Sequence, residues 1–405
     1  MLNLRNQNHI QNILDRVIIF FIFCLAAFIS FSIAGSEISY GGALLCWLLK
    51  GILTKKWNFQ RTGFDLPFAT LIVVGLLASA FSEKSAESFY NLRKFLLIPI
   101  LYLIPAQVSS QKQLHQLVHV LIFFALGTAV FGIGKFLLTS WQKVIATQST
   151  TMTWGALSVF FVLFWVGLFL FGGKNKQRWL YAIGFVPQFV ALLFSYVRGA
   201  YLGTLGGFIV FAWLKSKRIF LYVLVALVIV FVFSPASLTQ RIKSIADLNV
   251  GSTQLRLKQW QDSLRIIPHY PILGVGWIDL HDVHVRYAPP GADLSEDRFH
   301  IGHFHNNFVQ ITMIFGILGL VVFVWLFIQI LRTEYRIFKD ISSRQPFLQA
   351  LALIGLATTI AFLINGLFDW TFGDEEVVII LYFTIAISLT AKRLAIKELM
   401  SNSEV

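Results

Sequence analysis

Long apolar runs separated by short polar breaks recur along the whole chain, and this pattern leaves few possible folds. The runs fall at roughly 17–34, 39–54, 66–82, 92–108, 114–138, 152–172, 179–196, 199–214, 219–234, 306–331, 347–367 and 376–391. A segment of about 20 apolar residues spans a bilayer as a helix, because in lipid every backbone polar group must be satisfied within the segment. The runs therefore predict an all-α polytopic membrane protein with about twelve transmembrane helices. With 57% hydrophobic and only 13% charged residues, and a mean hydropathy of +0.71, soluble and single-pass architectures are excluded. Three parts follow: residues 1–234 with the first nine helices, a long loop over 235–305, and residues 306–405 with the last three helices and a tail.

Charge placement orients the predicted bundle. Lys and Arg number 33 against 20 Asp and Glu, a net +13 that in a soluble domain would suggest nucleic acid. With the N-terminus in the cytoplasm, twenty of the 33 cations fall on cytoplasmic segments. The short outer loops and span ends then hold six: Lys84, Arg93, Lys94, Lys135, Lys143 and Arg198. That bias matches the positive-inside rule, needs no nucleic-acid partner, and predicts an inner-membrane protein with both termini cytoplasmic. The first run follows a basic leader and reads as an uncleaved anchor. Cys24 and Cys46 both lie in apolar runs, which argues against a disulfide framework.

The 235–305 segment is then periplasmic, and it is too long for a plain connection between helices. Leu257, Trp260, Leu264 and Ile267 recur at helical spacing and predict an amphipathic helix on the mouth of the bundle, ended by Pro268, Pro271, Gly274 and Gly276. Six of the nine histidines, namely His269, His281, His284, His300, His303 and His305, crowd into this loop. Their spacings, even with Glu296 and Asp297, match no fixed metalloenzyme pattern such as H-E-x-x-H, so no metal site is assigned and no cofactor is expected. His305 precedes Asn306-Asn307 where the loop meets the tenth span. Outward-pointing amides at that helix end would favour an anion and a neutral imidazole able to accept a proton; a polar residue marking a span end is the plainer reading.

Arg198 stands almost without a loop between two apolar runs, either snorkelling to headgroups or gripping phosphate oxygens with its planar fork. Arg256 and Arg265 sit nine residues apart on different faces of the loop helix, so only one is expected to face the bundle. Gly316 and Gly319 are read as permitting close helix packing. Asp369, Asp374, Glu375 and Glu376 cluster in the last outer loop, where ordering of cations or acceptor sugar hydroxyls is one reading and solvation of span ends the default. No internal repeat and no broken helix, the usual marks of a carrier, are evident.

Three segments together resemble the O-antigen ligase and polymerase superfamily. They are Val197-Arg198-Gly199-Ala200-Tyr201-Leu202; Leu255-Arg256 through Trp260 to Pro271-Ile272-Leu273-Gly274-Val275-Gly276; and His303-Phe304-His305-Asn306-Asn307-Phe308 followed by Gly316-Ile317-Leu318-Gly319. Val197 stands where that family commonly has Ser, and Ile314 where Glu is common. The resemblance implies metal-independent, inverting transfer of glycan from undecaprenyl diphosphate to the lipid A core oligosaccharide. It implies His305 as the catalytic base and Arg198 and Arg256 on the diphosphate, with Arg265, His303 and Asn306 as further substrate-binding candidates. The partners expected are the undecaprenyl-diphosphate-linked glycan, the lipid A core acceptor and membrane lipids. An O-antigen polymerase or a protein O-oligosaccharyltransferase would use the same donor, and a transporter is a reading of another class.

Overall fold

The computed structural model describes the chain except for residues 1, 56, 58, 140–142, 173–174, 220, 222–235, 245–246, 248–250 and 404–405. The described regular structure is all-helical: α1 (Leu2–Phe28), α2 (Ile33–Thr54), α3 (Asp65–Ala80), α4 (Ser85–Asn91), a 3-10 turn (Leu92–Leu97), α5 (Ile100–Gln107), α6 (Gln111–Leu138), α7 (Thr151–Phe171), α8 (Asn175–Leu193) and α9 (Arg198–Leu214). The loop carries α10 (Ala236–Lys243), α11 (Gly251–Ile266), α12 (His281–Arg286) and α13 (Asp297–His300). The chain closes with α14 (Asn307–Asp340), α15 (Pro346–Asn365) and α16 (Glu375–Ser403). Among the described residues seven segments are long and apolar enough to cross a membrane: His9–Phe28, Ser85–Gln107, Gln111–Leu138, Thr151–Phe171, Asn307–Asp340, Pro346–Asn365 and Glu375–Met400. Asp65–Ala80 is a shorter apolar helix. The ninth apolar run, 219–234, lies almost wholly outside the described residues.

Burial sorts the helices into a centre and a rim. α7, α15 and α16 form the centre, with Trp154, Phe160, Phe161, Phe164, Phe362 and Tyr382 almost fully enclosed. Around them, Phe20, Ile38, Phe81, Phe123, Leu137, Ile183 and Trp213 are exposed on the outer helices. Such a belt would be an aggregation surface in water and is the lipid-facing surface of a membrane bundle. α9 lies directly on α15 because a Cβ at Gly203 would stand 2.7 Å from the Ala361 carbonyl oxygen, closer than real side chains come.

α14 departs from the sequence expectation, because it is broken. At Gly316 φ is 67° and ψ is −171°, a conformation open essentially only to glycine. The loop stretch Pro271–Gly276 docks into the breach. Val275 and Gly276 amides donate to the Met313 and Ile314 carbonyls at 2.9 and 3.0 Å, and the Ile317 amide donates to the Pro271 carbonyl at 2.9 Å. The P-x-x-G-x-G stretch is thus the patch for a broken helix. Gly316 and Gly319 do not serve close packing of whole helices: Gly316 turns the chain against the Ile272 carbonyl, and a Cβ at Gly319 would meet Phe315 of its own helix. The carbonyls freed by the break are taken up by the loop, so they face no open path of the kind a carrier lines with them.

The loop helix forms as expected, with a different buried side. α11 buries Gln259, Asp262, Ser263 and Ile266, while Leu264 is 69% exposed. The polar face is inside because it has partners there. Asp262 Oδ2 receives Arg298 NH1 and His284 Nε2, each at 3.0 Å, joining α11 to α12 and α13. A buried carboxylate paired twice escapes the penalty of isolation, so of the four predicted apolar positions Leu264 turns outward while Leu257, Trp260 and Ile267 are half-buried.

Candidate active site

The site begins at the first turn of α14. Asn306 caps the helix, its Oδ1 accepting the amides of Phe308 and Val309 at 2.8 and 3.1 Å, while its Nδ2 donates to the Leu367 carbonyl. Asn307 is fully buried. Its amide donates to the Gly366 carbonyl, its Nδ2 to Thr371 Oγ1 at 2.9 Å, and its Oδ1 accepts the Phe372 amide at 3.0 Å. The pair of asparagines therefore clamps residues 366–372, the turn after α15, against the start of α14. Three early amides of α14 are consumed in this way, so the expected anion seat at the bare helix end does not exist. Asn306 is a cap, with its Oδ1 on two amides and its Nδ2 on the Leu367 carbonyl.

The clamped turn carries Asp369 to His305, where Asp369 Oδ1 and His305 Nδ1 are 3.0 Å apart and both residues are buried. Burial alone would raise the Asp369 carboxyl, but the His305 hydrogen bond, helped by the Arg256 charge, holds it below the ordinary carboxylate range. An ionised Asp369 only accepts, so the neutral form of His305 carries its proton on Nδ1 and offers Nε2 as the acceptor. His303 stands against it with ring centroids 4.7 Å apart, and burial, reinforced by His305, pushes the His303 imidazole down to about 4. It is neutral at physiological pH.

His303, His305 and Asp369 line one wall of a cavity of about 540 Å³, together with Asp374, Lys94 and Trp277. The loop stretch 275–279 brings Trp277 there by running along α4. The Trp277 amide donates to Ser88 Oγ at 2.8 Å, its carbonyl accepts Asn91 Nδ2 at 2.8 Å, and the Asp279 amide donates to Glu87 Oε1 at 2.7 Å. Trp277 packs edge-on to Phe95, Phe315 and Trp370, an aromatic group beside the cavity. Lys94 Nζ donates to the Gly373 carbonyl and stands 5.5 Å from the Trp277 ring centre. On the far side Asp374 Oδ2 accepts from Thr153 Oγ1 at 3.3 Å. Burial, then the charges of Asp369 and Glu376, push the Asp374 carboxyl up to about 7.

The arginines separate. Arg256 of α11 is half-buried; its charge acts on Asp369, and it is not among the residues that line the cavity. Arg265, half a helical rotation round from it, is exposed. Arg198, at the first position of α9, is buried. Its NH1 donates to the Ser244 carbonyl at 2.6 Å, and its NH2 donates to Ser252 Oγ and Thr253 Oγ1 at 3.0 and 2.7 Å. It holds the first turn of α11, and it does not line the cavity with the histidines.

The histidine crowd also divides. His281 and His300 stack on each other, His269 stacks on Tyr287, and His284 is bound to Asp262. Glu296 pairs with Lys258 and Arg298. Among the described residues the one group able to hold a metal ion is His303, His305 and Asp369, with one ligand atom from each all within 4.8 Å of one another. Sequence reasoning assigned Asp369 to solvation. The available signal was its setting, one acid between Phe368 and Trp370 at the same end of the bundle as His305.

Residues 183–324 match the O-antigen ligase family model. The matched stretch holds Arg198, Arg256, Arg265, His303, His305 and Asn306, and Asp369 lies beyond it. No curated protein matches the chain.

Proposed function

We propose that this multi-pass membrane chain, similar over residues 183–324 to the O-antigen ligase family, carries out an inverting glycosyl transfer from undecaprenyl diphosphate to a sugar hydroxyl of the lipid A core, run at the periplasmic face without a metal. The observation that carries this reading is the buried His305–Asp369 pair on the wall of a cavity of about 540 Å³. His305 Nε2 takes the proton of the acceptor hydroxyl as its oxygen attacks the anomeric carbon. The carbon–oxygen bond to the diphosphate breaks with its electron pair going to the leaving group, and attack from the opposite face inverts the centre. Asp369 fixes the tautomer and stabilises the imidazolium that forms. Arg256 neutralises the departing diphosphate, because its guanidinium stays ionised and can bind two oxygens at once. Arg198 sets the angle of α11 and so the placement of Arg256. His303, neutral and lining the cavity, bonds the acceptor sugar. The cavity's acidic side chains, Glu87, Asp279 and Asp374, suit hydroxyl recognition, which supports seating the acceptor there and the diphosphate at α11. Arg265 has no part in the reaction, and Asn306 supports it only as a cap.

The test is reconstituted transfer: purified protein, undecaprenyl-diphosphate-linked glycan and rough lipopolysaccharide in EDTA, with product read as a gel shift. A shift that persists in chelator and vanishes with His305→Ala is expected, the variant still inserting in the membrane. Full activity of His305→Ala sinks the base assignment. Elongation of the lipid-linked glycan in place of the shift identifies a polymerase. Neither product, with substrate accumulating in vesicles, identifies a carrier.

A further inference from the structure

We propose that His303, His305 and Asp369 also form a binding site for one divalent transition-metal ion, zinc by preference, and that the bound ion switches the site off. Imidazole nitrogens with a carboxylate oxygen form a donor set that suits zinc and disfavours the harder magnesium and calcium. The three ligand atoms already lie within 4.8 Å of one another. Bonds of about 2.1 Å at a tetrahedral angle need ligands roughly 3.4 Å apart, so small side-chain rotations close the set. Three protein ligands beside a cavity leave a fourth position for water, the pattern of an accessible zinc centre.

The ligands sit on two segments that are held in place whether or not an ion is bound. The Phe304 amide, between the two histidines, donates to Gln310 Oε1 at 2.8 Å, and the asparagine clamp holds the turn of Asp369. Binding to such a set costs little rearrangement of backbone. The silencing half of the proposal rests on the function given above. Coordination takes a ring-nitrogen lone pair of His305 and the Asp369 carboxylate, and the proton that His305 held toward Asp369 passes to the other ring nitrogen or to solvent, so His305 can no longer be oriented by Asp369 and accept a proton at once.

Purified protein with its affinity tag removed and stripped with EDTA is titrated with cobalt(II), then with zinc. Intense visible d–d bands of low-coordinate cobalt are expected, saturating at one ion per chain and displaced by one equivalent of zinc. His303→Gln and Asp369→Ala should lose the bands, whereas His300→Ala, in the stacked pair with His281, should keep them. Absence of saturable bands, or bands that survive His303→Gln, or bands lost in His300→Ala alone, would overturn the site. A zinc-induced rise in the melting temperature of the wild-type protein, absent from His303→Gln, is the second readout should Asp369→Ala not fold. Glycosyl transfer should fall with the same zinc dependence as cobalt displacement and return with EDTA; transfer unaffected at saturating zinc overturns the silencing. A metal-free protein with no transfer at all refutes the proposed function and leaves the binding result standing.

Discussion

His305 has two ring nitrogens, and Asp369 engages one of them. Replacing the carboxylate with an amide keeps the shape and removes the preference for one tautomer. Asp369→Asn is therefore expected to lower kcat on the order of 10³-fold with acceptor KM nearly unchanged, as steady-state kinetics on both substrates would reveal. Equal losses in binding and turnover would make Asp369 a substrate contact instead. Asp374 offers a separate test through pH. Its folded-state carboxyl is raised to about 7, so between the unfolded range near 4 and that value the native protein holds more protons than the unfolded chain. Stability should then fall as pH rises from about 4 to about 7 and level off above. In Asp374→Asn that part of the slope disappears, which melting temperatures in detergent across the range would register; an unchanged slope refutes the assignment. His305 stands out in the sequence because it closes the polar loop where a long apolar run begins, and Arg198 because it interrupts two such runs. Asp369 does not, because its meaning depends on Asn307 folding the 366–372 turn back over a separation of more than sixty residues.

Helices were legible where periodicity and length speak for themselves, and α11 was placed correctly from its pattern alone. Its buried side was not, since the partners of Asp262 come from α12 and α13 and no local rule announces them. The break in α14 was hidden for the same reason: an apolar run reads alike whether its hydrogen bonds are internal or borrowed from Pro271–Gly276. Glycine substitution tests this element directly. Gly274 has φ of 68°, and an added Cβ would stand 2.5 Å from the Met313 carbonyl oxygen. Gly291 has φ of 74° with nothing within 4 Å. Gly291→Ala carries only the backbone strain, about 1 kcal/mol. Gly274→Ala carries that strain and must also push the loop off α14, costing about 3 kcal/mol or more. Thermal unfolding of the two variants side by side should separate them clearly, and equal losses would mean that the patch does not hold the helix.

For the whole molecule the first question is which way it faces. Glu87, Thr150, His305, Asp369 and Asp374 all line one cavity, so the outer ends predicted for several spans do lie at a single end of the bundle. In a Cys24→Ser, Cys46→Ser background, a cysteine in place of exposed Ser295 should react with an impermeant maleimide on intact spheroplasts. One in place of exposed Ser343 should react only after lysis. The reverse pattern would invert the orientation drawn from the positive-inside bias. The broken helix also bears on how the molecule is made. Residues 271–276 leave the ribosome before α14, yet their native partners are the carbonyls of Met313 and Ile314 and the amide of Ile317. During synthesis α14 enters the bilayer either as a continuous rod or with unsatisfied groups, and the second is heavily penalised in lipid. The loop stretch must then return to prise open a helix already inserted, so maturation of the site is a late event separable from membrane insertion. Nascent chains halted before that return would be correctly threaded, protease-sensitive at the loop, and inert.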